Sequence, residues 1–147
     1  MVGIVIVTHG SLGKALIETA AMVSGRRPEN VIAVSIDGKI GNQDDLRNKV
    51  SEAIKSVNGH RKVVIFTDMY GGTPCNLSLS FIKKGHVEVI SAVNLPILLR
   101  AIDARDRMGF TELMNCLETH GKRNIFRAVG VLDGNHGVGC PVNVNCL

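Results

Sequence analysis

Short apolar runs rich in Val and Ile alternate with longer segments of helical periodicity along most of this 147-residue chain. Continuous apolar runs of strand length are typical of strands buried on both faces, because a strand with one wet face would alternate with polar residues. Strands that alternate with helices form parallel βαβ units with right-handed crossovers. The sequence therefore predicts an α/β fold with a single doubly wound, mainly parallel sheet and helices on both faces.

The predicted elements follow one another without a linker that would divide the chain. Strands are expected at residues 2–8, 31–36, 63–67 and 87–92, with a weaker one at 126–132. Helices are expected at residues 11–24, 42–57, 73–83, 95–105 and 111–120. Residues 133–147 are rich in Gly and Asn and lose the periodicity, which is typical of a loose tail. We therefore expect one domain over residues 1–132, with residues 126–132 as a C-terminal edge strand.

Two of these helices carry an apolar face that predicts which side chains enter the core. In the first helix the inward residues are expected to be Leu12, Leu16, Ala20 and Val23. In the second helix they are expected to be Leu46, Val50, Ala53, Ile54 and Val57.

The composition argues against several classes of protein. Aromatic residues make up only 3% of the chain, and the basic residues that give its net charge of +4 are scattered in pairs, so nucleic-acid binding is not expected. No apolar stretch has the length of a membrane span, and no signal peptide precedes the first strand. The four cysteines form no C-x-x-C pair, which is typical of reduced thiols. We therefore expect a cytoplasmic protein without membrane insertion.

Polar residues collect just after the predicted strands, where ligands bind in open α/β sheets. His9 follows the first strand, together with Gly10, Ser11 and Leu12, and Asp68 follows the third strand. In a sheet of this kind the first and third strands are neighbours. We therefore expect the imidazole of His9 and the carboxylate of Asp68 to lie at one edge of the sheet.

An imidazole in this position favours phosphoryl transfer to nitrogen. The helix that begins near Ser11 offers free N–H groups to an anion, and a neutral ring can attack phosphorus while such donors hold the phosphoryl oxygens. A carboxylate bonded to one ring nitrogen would fix the tautomer and leave the other nitrogen free. His9 and Asp68 are therefore the candidate catalytic residues. The competing interpretation is that His9 packs at a strand end and that Asp68 is a turn residue or a helix cap.

The segment GGTP, residues 71–74, supplies the second half of the candidate site. Paired glycines allow a backbone to approach a ligand closely or to adopt a positive φ. Thr73 fits a helix N-cap and Pro74 fits the first helical position, so a second helix is expected to begin at the same edge. The candidate phosphoryl-binding residues are Gly10, Ser11, Leu12, Gly71, Gly72 and Thr73.

Three motifs in order give the chain a family resemblance. The first strand ends in THG (residues 8–10), DMYGGTPCN (residues 68–76) follows the third strand, and VNLP (residues 93–96) follows the fourth. These motifs, with the order of strands and helices, resemble the enzyme IIA components of the mannose class of the bacterial sugar phosphotransferase system. Each motif alone is short, but all three at strand ends of one α/β domain are specific.

The resemblance implies a phosphoryl relay that needs neither a metal nor an organic cofactor. In this family the phosphocarrier protein HPr donates a phosphoryl group to a histidine, which passes it to a IIB protein or domain. By position, His9 is the phosphorylated residue, Asp68 orients its ring and Thr73 helps to hold the phosphoryl group. The resemblance also implies a homodimer in which a C-terminal strand, here residues 126–132, is exchanged between subunits.

Other features of the relay are not specified by the resemblance. No second domain follows, so the IIB function is expected on another chain, and nothing in the sequence names a sugar. A regulatory phosphoprotein that senses phosphorylation state without transport is one alternative. The net charge of +4 differs from the acidic face that a partner of a basic phosphocarrier would be expected to present.

Three further alternatives assign a different chemistry to the chain. A receiver domain phosphorylated on Asp68 would have this kind of fold, but it would need acidic magnesium ligands where Thr8 and His9 stand. A thiol hydrolase would pair Cys75 with His9, although a cysteine at such a position is more often a small core residue. A zinc site in the tail would use His136, Cys140 and Cys146, at a spacing that matches no usual ligand pattern.

Overall fold

The structure, a computed structural model, describes residues 1–37, 42–57 and 62–127. The strands are β1 (Gly3–His9), β2 (Val31–Ile36), β3 (Val63–Thr67) and β4 (Val87–Ile90). The helices are α1 (Leu12–Ser24), α2 (Gln43–Val57), α3 (Thr73–Leu79), α4 (Leu95–Ala104) and α5 (Phe110–Arg123).

The four strands form one parallel sheet in the order β2-β1-β3-β4. Helices α1, α4 and α5 cover one face, and α2 and α3 cover the other. From β1 the chain winds outwards to β2 on one side, and it then returns to β3 and continues to β4 on the other side. The predicted α/β fold with a doubly wound parallel sheet and helices on both faces is confirmed.

The two central strands explain the continuous apolar runs of the sequence. Ile4 and Ile6 of β1 face the α1, α4 and α5 side, whereas Val5 and Val7 face the α2 side, and all four are fully buried. Both faces of β1 and β3 are covered by helices, so neither strand has a wet face that polar residues could occupy.

The inward face of α1 differs from the predicted one by about one residue. Leu12 and Val23 were expected in the core but are 44% and 60% exposed, and the buried residues are Gly13, Ile17 and Ala20. A Cβ atom on Gly13 would be only 3.2 Å from side-chain atoms of β1, so the helix approaches the sheet on this glycine and turns its larger neighbours away. The five residues predicted to face inward on α2 are all buried.

Two predicted element ends are wrong near the third and fourth strands. Helix α3 ends at Leu79 instead of residue 83, because Ser80 and Phe81 donate to carbonyls three residues earlier in a tighter turn. The chain then reverses, and Lys83 pairs with Val87. Strand β4 ends at Ile90 instead of residue 92, since Ala92 adopts a positive φ of 65°.

Helix α5 continues three residues beyond the predicted end, to Arg123. Gly121, which could have ended the helix, is buried, and a Cβ atom there would be 3.0 Å from Ile97 of α4. The glycine therefore serves as a close contact between two helices.

The predicted C-terminal edge strand and the tail fall mostly outside the described residues. Phe126 and Arg127 are described and belong to no strand, whereas residues 128–132 and the tail 133–147 lie outside the described ranges. The residues considered as zinc ligands in the tail lie outside the described ranges too. Of the helices in the described ranges, none combines the length and apolar character required to cross a membrane.

The amino end of the sheet is closed by a buried arginine. Arg105, which is 5% exposed, donates from Nη2 to the carbonyl oxygen of Glu29 at 2.7 Å and from Nη1 to that of Val2 at 3.4 Å. Burial lowers the pKa of the guanidinium, and the carboxylates of Asp106 and Glu29 oppose that shift. Arg105 therefore ties the end of α4 to the first strand and to the loop before β2.

Candidate functional site

The candidate site lies at the carboxyl end of the two central strands. Strand β1 ends with His9, and Asp68 directly follows β3, which pairs with β1 in parallel register. From β1 the chain connects to β2 on one side and later to β3 on the other, so the ends of β1 and β3 form the switch point at which open α/β sheets bind ligands. The sequence predicted this neighbourhood, and the structure places the two side chains in direct contact.

His9 and Asp68 are joined by two hydrogen bonds to one carboxylate oxygen. Asp68 Oδ2 lies 2.8 Å from the backbone nitrogen of His9 and 2.8 Å from its ring nitrogen Nδ1. The other oxygen, Oδ1, accepts the N–H of Met69 at 2.9 Å. The His9 side chain is 48% exposed, whereas that of Asp68 is 13% exposed. The carboxylate is thus held from three directions, while one edge of the imidazole remains open to solvent.

The same contacts determine the charge of the carboxylate. Burial would raise the pKa of Asp68, but the hydrogen bonds from the His9 backbone, the His9 ring and the Met69 backbone outweigh it, and the pKa is lowered. Asp68 is therefore ionised at neutral pH and can only accept hydrogen bonds.

The turn from β1 into α1 leaves two backbone donors without a partner. Gly10 has a φ of +53°, and its N–H donates to the carbonyl oxygen of Ile36. The N–H of Gly13 donates to the buried hydroxyl of Thr8 at 2.9 Å. Among the described residues the N–H groups of Ser11 and Leu12 have no acceptor. Of the predicted phosphoryl-binding residues in this turn, Gly10 shapes the chain and the other two offer donors.

The loop after Asp68 contributes a second set of donors. Gly71 has a φ of +85°, whereas Gly72 has ordinary extended angles and precedes α3 as its N-cap, so Thr73 is the first helical residue and not the cap that the sequence predicts. The N–H groups of Gly71, Gly72 and Thr73 find no acceptor within the described part of the chain. The side-chain amide of Asn76 donates to the carbonyl oxygen of Gly71 and so closes this loop.

The two glycines have different roles. Gly71 supplies the positive φ that the turn requires, and nothing lies within 4 Å of the position its Cβ would occupy. A Cβ on Gly72 would instead be 3.1 Å from Cε1 of His9, which is tighter than ordinary van der Waals contact. Gly72 therefore leaves room for the imidazole, because a larger residue at this position would crowd Cε1.

Two residues of this site were missed by reasoning from the sequence. Thr8 satisfies an N–H at the start of α1, and the sequence signal for it was a polar residue at the end of an otherwise apolar strand. The side chain of Met69 lies close to Gly72, and a Cβ atom on that glycine would be 3.4 Å from Cγ of Met69 and 3.1 Å from Cε1 of His9. No pattern in the sequence indicates this contact, since an exposed methionine in a loop has no periodicity to interpret.

The alternatives meet obstacles in the same geometry. Cys75 is only 1% exposed, so its thiol is a core group and not a surface nucleophile. Both oxygens of Asp68 already accept hydrogen bonds, which leaves the carboxylate poorly placed to take a phosphoryl group. Within the described ranges, no three potential metal ligands from His, Cys, Asp and Glu come together.

Comparison with known proteins identifies relatives across most of the chain. The family model described as "PTS system fructose IIA component" matches residues 3–118. The chain is 32% identical over 125 residues to the PTS system fructose-specific EIIA component of Bacillus subtilis (strain 168), and the match covers 84% of both proteins. It is 30% identical over 115 residues to the PTS system sorbose-specific EIIA component of Lacticaseibacillus casei, covering 78% of this chain and 81% of the relative.

A longer relative and two solved structures extend the comparison. The PTS system mannose-specific EIIAB component of Escherichia coli (strain K12) is 32% identical over 127 residues, and this chain spans only 38% of its length. The fold matches EIIA from Streptococcus agalactiae with a TM-score of 0.76 at 22% identity, over 86% of this chain and 97% of the other. It matches the mannose/sorbose specific IIA subunit of Enterococcus faecalis with a TM-score of 0.75 at 18% identity, over 86% and 93%. The chain belongs to the mannose/fructose/sorbose family of EIIA components of the bacterial sugar phosphotransferase system.

Proposed function

We propose that this protein is a phosphoryl carrier in the cytoplasm, which accepts a phosphoryl group from phospho-HPr on Nε2 of His9 and passes it to a IIB protein. The observation that carries the proposal is the 2.8 Å hydrogen bond between Nδ1 of His9 and Asp68, made by a ring that is 48% exposed. The ring is held at one nitrogen, and a docking protein can reach the other. Membership of the EIIA family supports the same role.

The carboxylate selects the nitrogen that reacts. Ionised Asp68 can only accept, so Nδ1 of His9 has to carry the proton in the hydrogen bond between them. A neutral imidazole carries one proton, and Nε2 therefore keeps its lone pair. Asp68 thus acts as the orienting partner of the nucleophile, in the role that a carboxylate has beside a catalytic histidine.

The transfer step needs no cofactor. The lone pair of Nε2 attacks the phosphorus atom of the donor, and a new N–P bond forms while the bond between phosphorus and the donor protein breaks. The ring becomes positively charged with its proton still on Nδ1, and the carboxylate of Asp68 stabilises that charge. In transfer to the IIB protein, a nucleophile of that protein attacks the phosphorus atom, a new bond to phosphorus forms, and the N–P bond breaks and returns the lone pair to Nε2.

The free backbone donors form the proposed cradle for the phosphoryl oxygens. Two N–H groups come from the turn before α1, at Ser11 and Leu12, and three come from the loop at Gly71, Gly72 and Thr73. N–H groups fixed in position stabilise a phosphoryl group without reorganising during the reaction. The exposed hydroxyl of Thr73 is a further candidate donor. Gly10 has its N–H engaged, so we propose that it acts only through the shape of the turn.

The proposal is tested by incubating the protein with phosphoenolpyruvate, enzyme I and HPr and mapping the modified residue by mass spectrometry under alkaline conditions. We expect one phosphoryl group on His9 and none on His9→Gln. The matched control is His86→Gln, which removes an exposed imidazole from the opposite end of the sheet and should be phosphorylated like the wild type.

Two results would contradict the proposal. One is phosphorylation of His9→Gln at the wild-type rate. The other is a phosphoryl group that is lost in alkali and survives acid, because that behaviour is typical of an aspartyl phosphate and would favour the receiver-like use of Asp68.

We also propose a homodimer in which residues 126–132 of one subunit pair with the outer edge of β4 in the other. Within the described residues β4 has one neighbouring strand, and its four residues are only half-buried. Ile125, just before this segment, and Phe126, its first residue, are 80% and 70% exposed. Exposed apolar residues and an open strand edge each favour a covering partner.

The dimer is tested by light scattering on the full chain and on a chain that ends at residue 125. We expect a dimer for the full chain and a monomer for the shortened one. A shortened chain that remains dimeric would show that another surface holds the subunits together.

A further inference from the structure

The side chain of Met69 and the imidazole of His9 both adjoin the space that the missing Cβ atom of Gly72 leaves open. The position of a Cβ atom on Gly72 is 3.1 Å from Cε1 of His9, 3.4 Å from Cγ of Met69 and 3.7 Å from its sulfur. The thioether and the Cε1 edge of the ring therefore border the same small space above the backbone of Gly72. A sulfur atom near the edge of an aromatic ring makes a weakly favourable contact.

The imidazole of His9 has few other contacts that could fix its orientation. Its side chain is 48% exposed, so core packing does not hold it. Within the described residues, its ring makes one hydrogen bond, from Nδ1 to Asp68. A ring held at Nδ1 alone can still swing about that bond, and Nε2 would move furthest. A second contact at Cε1 would remove this freedom.

Met69 is well placed to provide that contact because its backbone is fixed to the same carboxylate. Its N–H donates to Asp68 Oδ1 at 2.9 Å, while Oδ2 of Asp68 accepts from His9. The side chain of Met69 is nevertheless 54% exposed, so burial in the core does not explain its position. An apolar side chain that is anchored beside a reactive ring, and not buried, is better explained by its effect on that ring.

We propose that Met69 is a positioning residue, which together with Gly72 closes the Cε1 side of the His9 ring and keeps Nε2 directed at the phosphorus of a docked partner. The inference rests on the proposed phosphorylation of His9. Loss of the apolar side chain lowers the rate of phosphoryl transfer once the donor is bound, and it leaves donor binding unchanged.

The experiment compares Met69→Ser with the conservative Met69→Leu and with Tyr70→Ser. Tyr70 is the matched control because it is the next residue, is 80% exposed and makes no hydrogen bond within the described residues. At saturating phospho-HPr we expect Met69→Ser to be slower by about fivefold, the size expected from partial loss of orientation, with an unchanged KM. Met69→Leu should restore most of the rate, and Tyr70→Ser should keep the wild-type rate at saturation.

Nuclear magnetic resonance of the unphosphorylated protein supplies a second readout. The Cε1–H resonance of His9 should shift in Met69→Ser, with a smaller population of the tautomer that carries its proton on Nδ1. Neither quantity should change in Tyr70→Ser.

The results separate this inference from the proposed function. An unchanged saturating rate in Met69→Ser, an effect on KM alone, or an equal slowing in Tyr70→Ser would overturn the positioning role. An unmoved Cε1–H resonance in Met69→Ser would also overturn it. A wild-type protein that takes no phosphoryl group on His9 would instead overturn the proposed function, whatever the resonance does.

Discussion

The two ends of the parallel sheet each hold a charged side chain that binds backbone atoms. The ends differ in how much solvent reaches the side chains there. At the carboxyl end, Asp68 binds His9, whose side chain is 48% exposed. At the amino end, Arg105 binds the carbonyl oxygens of Val2 and Glu29 and is 5% exposed. The carboxyl end therefore presents a half-exposed imidazole, whereas the charged group at the amino end is almost wholly buried.

With the phosphoryl transfer that we propose at His9, this difference predicts that the domain separates chemistry from stability. Hydrogen bonds with a solvent-exposed partner contribute little net stability, whereas buried acceptors that lose their donor cost the full desolvation penalty. We therefore expect changes at the carboxyl end to alter phosphoryl transfer and changes at the amino end to alter the free energy of unfolding. Variants that affect both quantities equally would break the comparison.

The largest effect is expected for Asp68→Asn at the carboxyl end. The amide can present its N–H₂ to Nδ1 and so favour the wrong tautomer, in which Nε2 carries the proton. We expect phosphoryl uptake to slow by about 100-fold, the cost of a misplaced reacting group, with a loss of less than about 1 kcal/mol in stability. Rapid-quench measurement of phosphoryl uptake, with urea unfolding of the same samples, checks both. A stability loss larger than this would mean that Asp68 is chiefly structural.

The next effect is expected for Arg105→Met at the amino end. The methionine fills similar volume but leaves two backbone carbonyl oxygens without a donor, which should lower the free energy of unfolding by about 2 kcal/mol. The uptake rate per folded molecule should not change. Arg107→Met is the control, since Arg107 is exposed and its side chain pairs with Asp103 alone among the described residues, and it should cost less than about 0.5 kcal/mol. Equal losses in the two variants would show that burial of Arg105 contributes nothing.

A smaller effect is expected for Gly72→Ala, which tests the contact with the ring. The backbone angles of Gly72 suit alanine, but the new Cβ would press on Cε1 of His9. Uptake should slow by about fivefold, while stability should hold or rise slightly through the lower entropy of the unfolded chain.

Gly71→Ala is the control for that variant, and it should lower the stability without a clash at the His9 ring. The Cβ meets nothing, but the φ of +85° is strained for alanine, so stability should fall by about 1 kcal/mol. Similar behaviour of the two alanine variants would indicate that the contact between Gly72 and the ring has no consequence.

The smallest expected effect concerns pH. The pKa of Asp68 is lower in the folded state, so its contribution to stability is present above the pKa of the unfolded carboxyl group and is lost as the pH falls through the folded value. The difference in unfolding free energy between wild type and Asp68→Asn should therefore shrink on going from about pH 6 to about pH 2. The difference for Arg105→Met should change less, because the guanidinium remains charged throughout and only the carboxylates of Asp106 and Glu29 near it become protonated. Unfolding curves at several pH values test both.

Much of the carboxyl end could be predicted from the sequence because it depends on strand ends. A parallel sheet brings the ends of neighbouring strands to one edge, so the positions of His9 and Asp68 follow from recognising β1 and β3. The hydrogen bond between His9 and Asp68 joins positions 59 apart in the chain. Their proximity could still be predicted, because it depends on the order of the strands and not on the details of packing. The buried face of α2 was equally readable, since its apolar residues repeat at helical spacing.

The remaining features could not be predicted, for reasons that concern packing. The rotation of α1 depends on how closely Gly13 approaches β1, and periodicity alone does not contain that distance. In the sequence, Arg105 is an ordinary charged residue at the end of a predicted helix. Its burial could not be predicted because it depends on carbonyl oxygens as far as 103 residues away in the chain. The different roles of Gly71 and Gly72 cannot be inferred from the sequence, in which they are two identical adjacent residues.

The sequence by itself determined the order of strands and helices, the buried runs of the central strands and the family to which the chain belongs, because these are set by local pattern and short motifs. Only the tertiary structure decided that Met69 and the imidazole of His9 adjoin the same space, that Gly72 leaves this space open and that Arg105 closes the opposite end. Those features arise from side chains and backbone atoms that meet after the chain has packed, and van der Waals distances and desolvation act only between groups brought together in space.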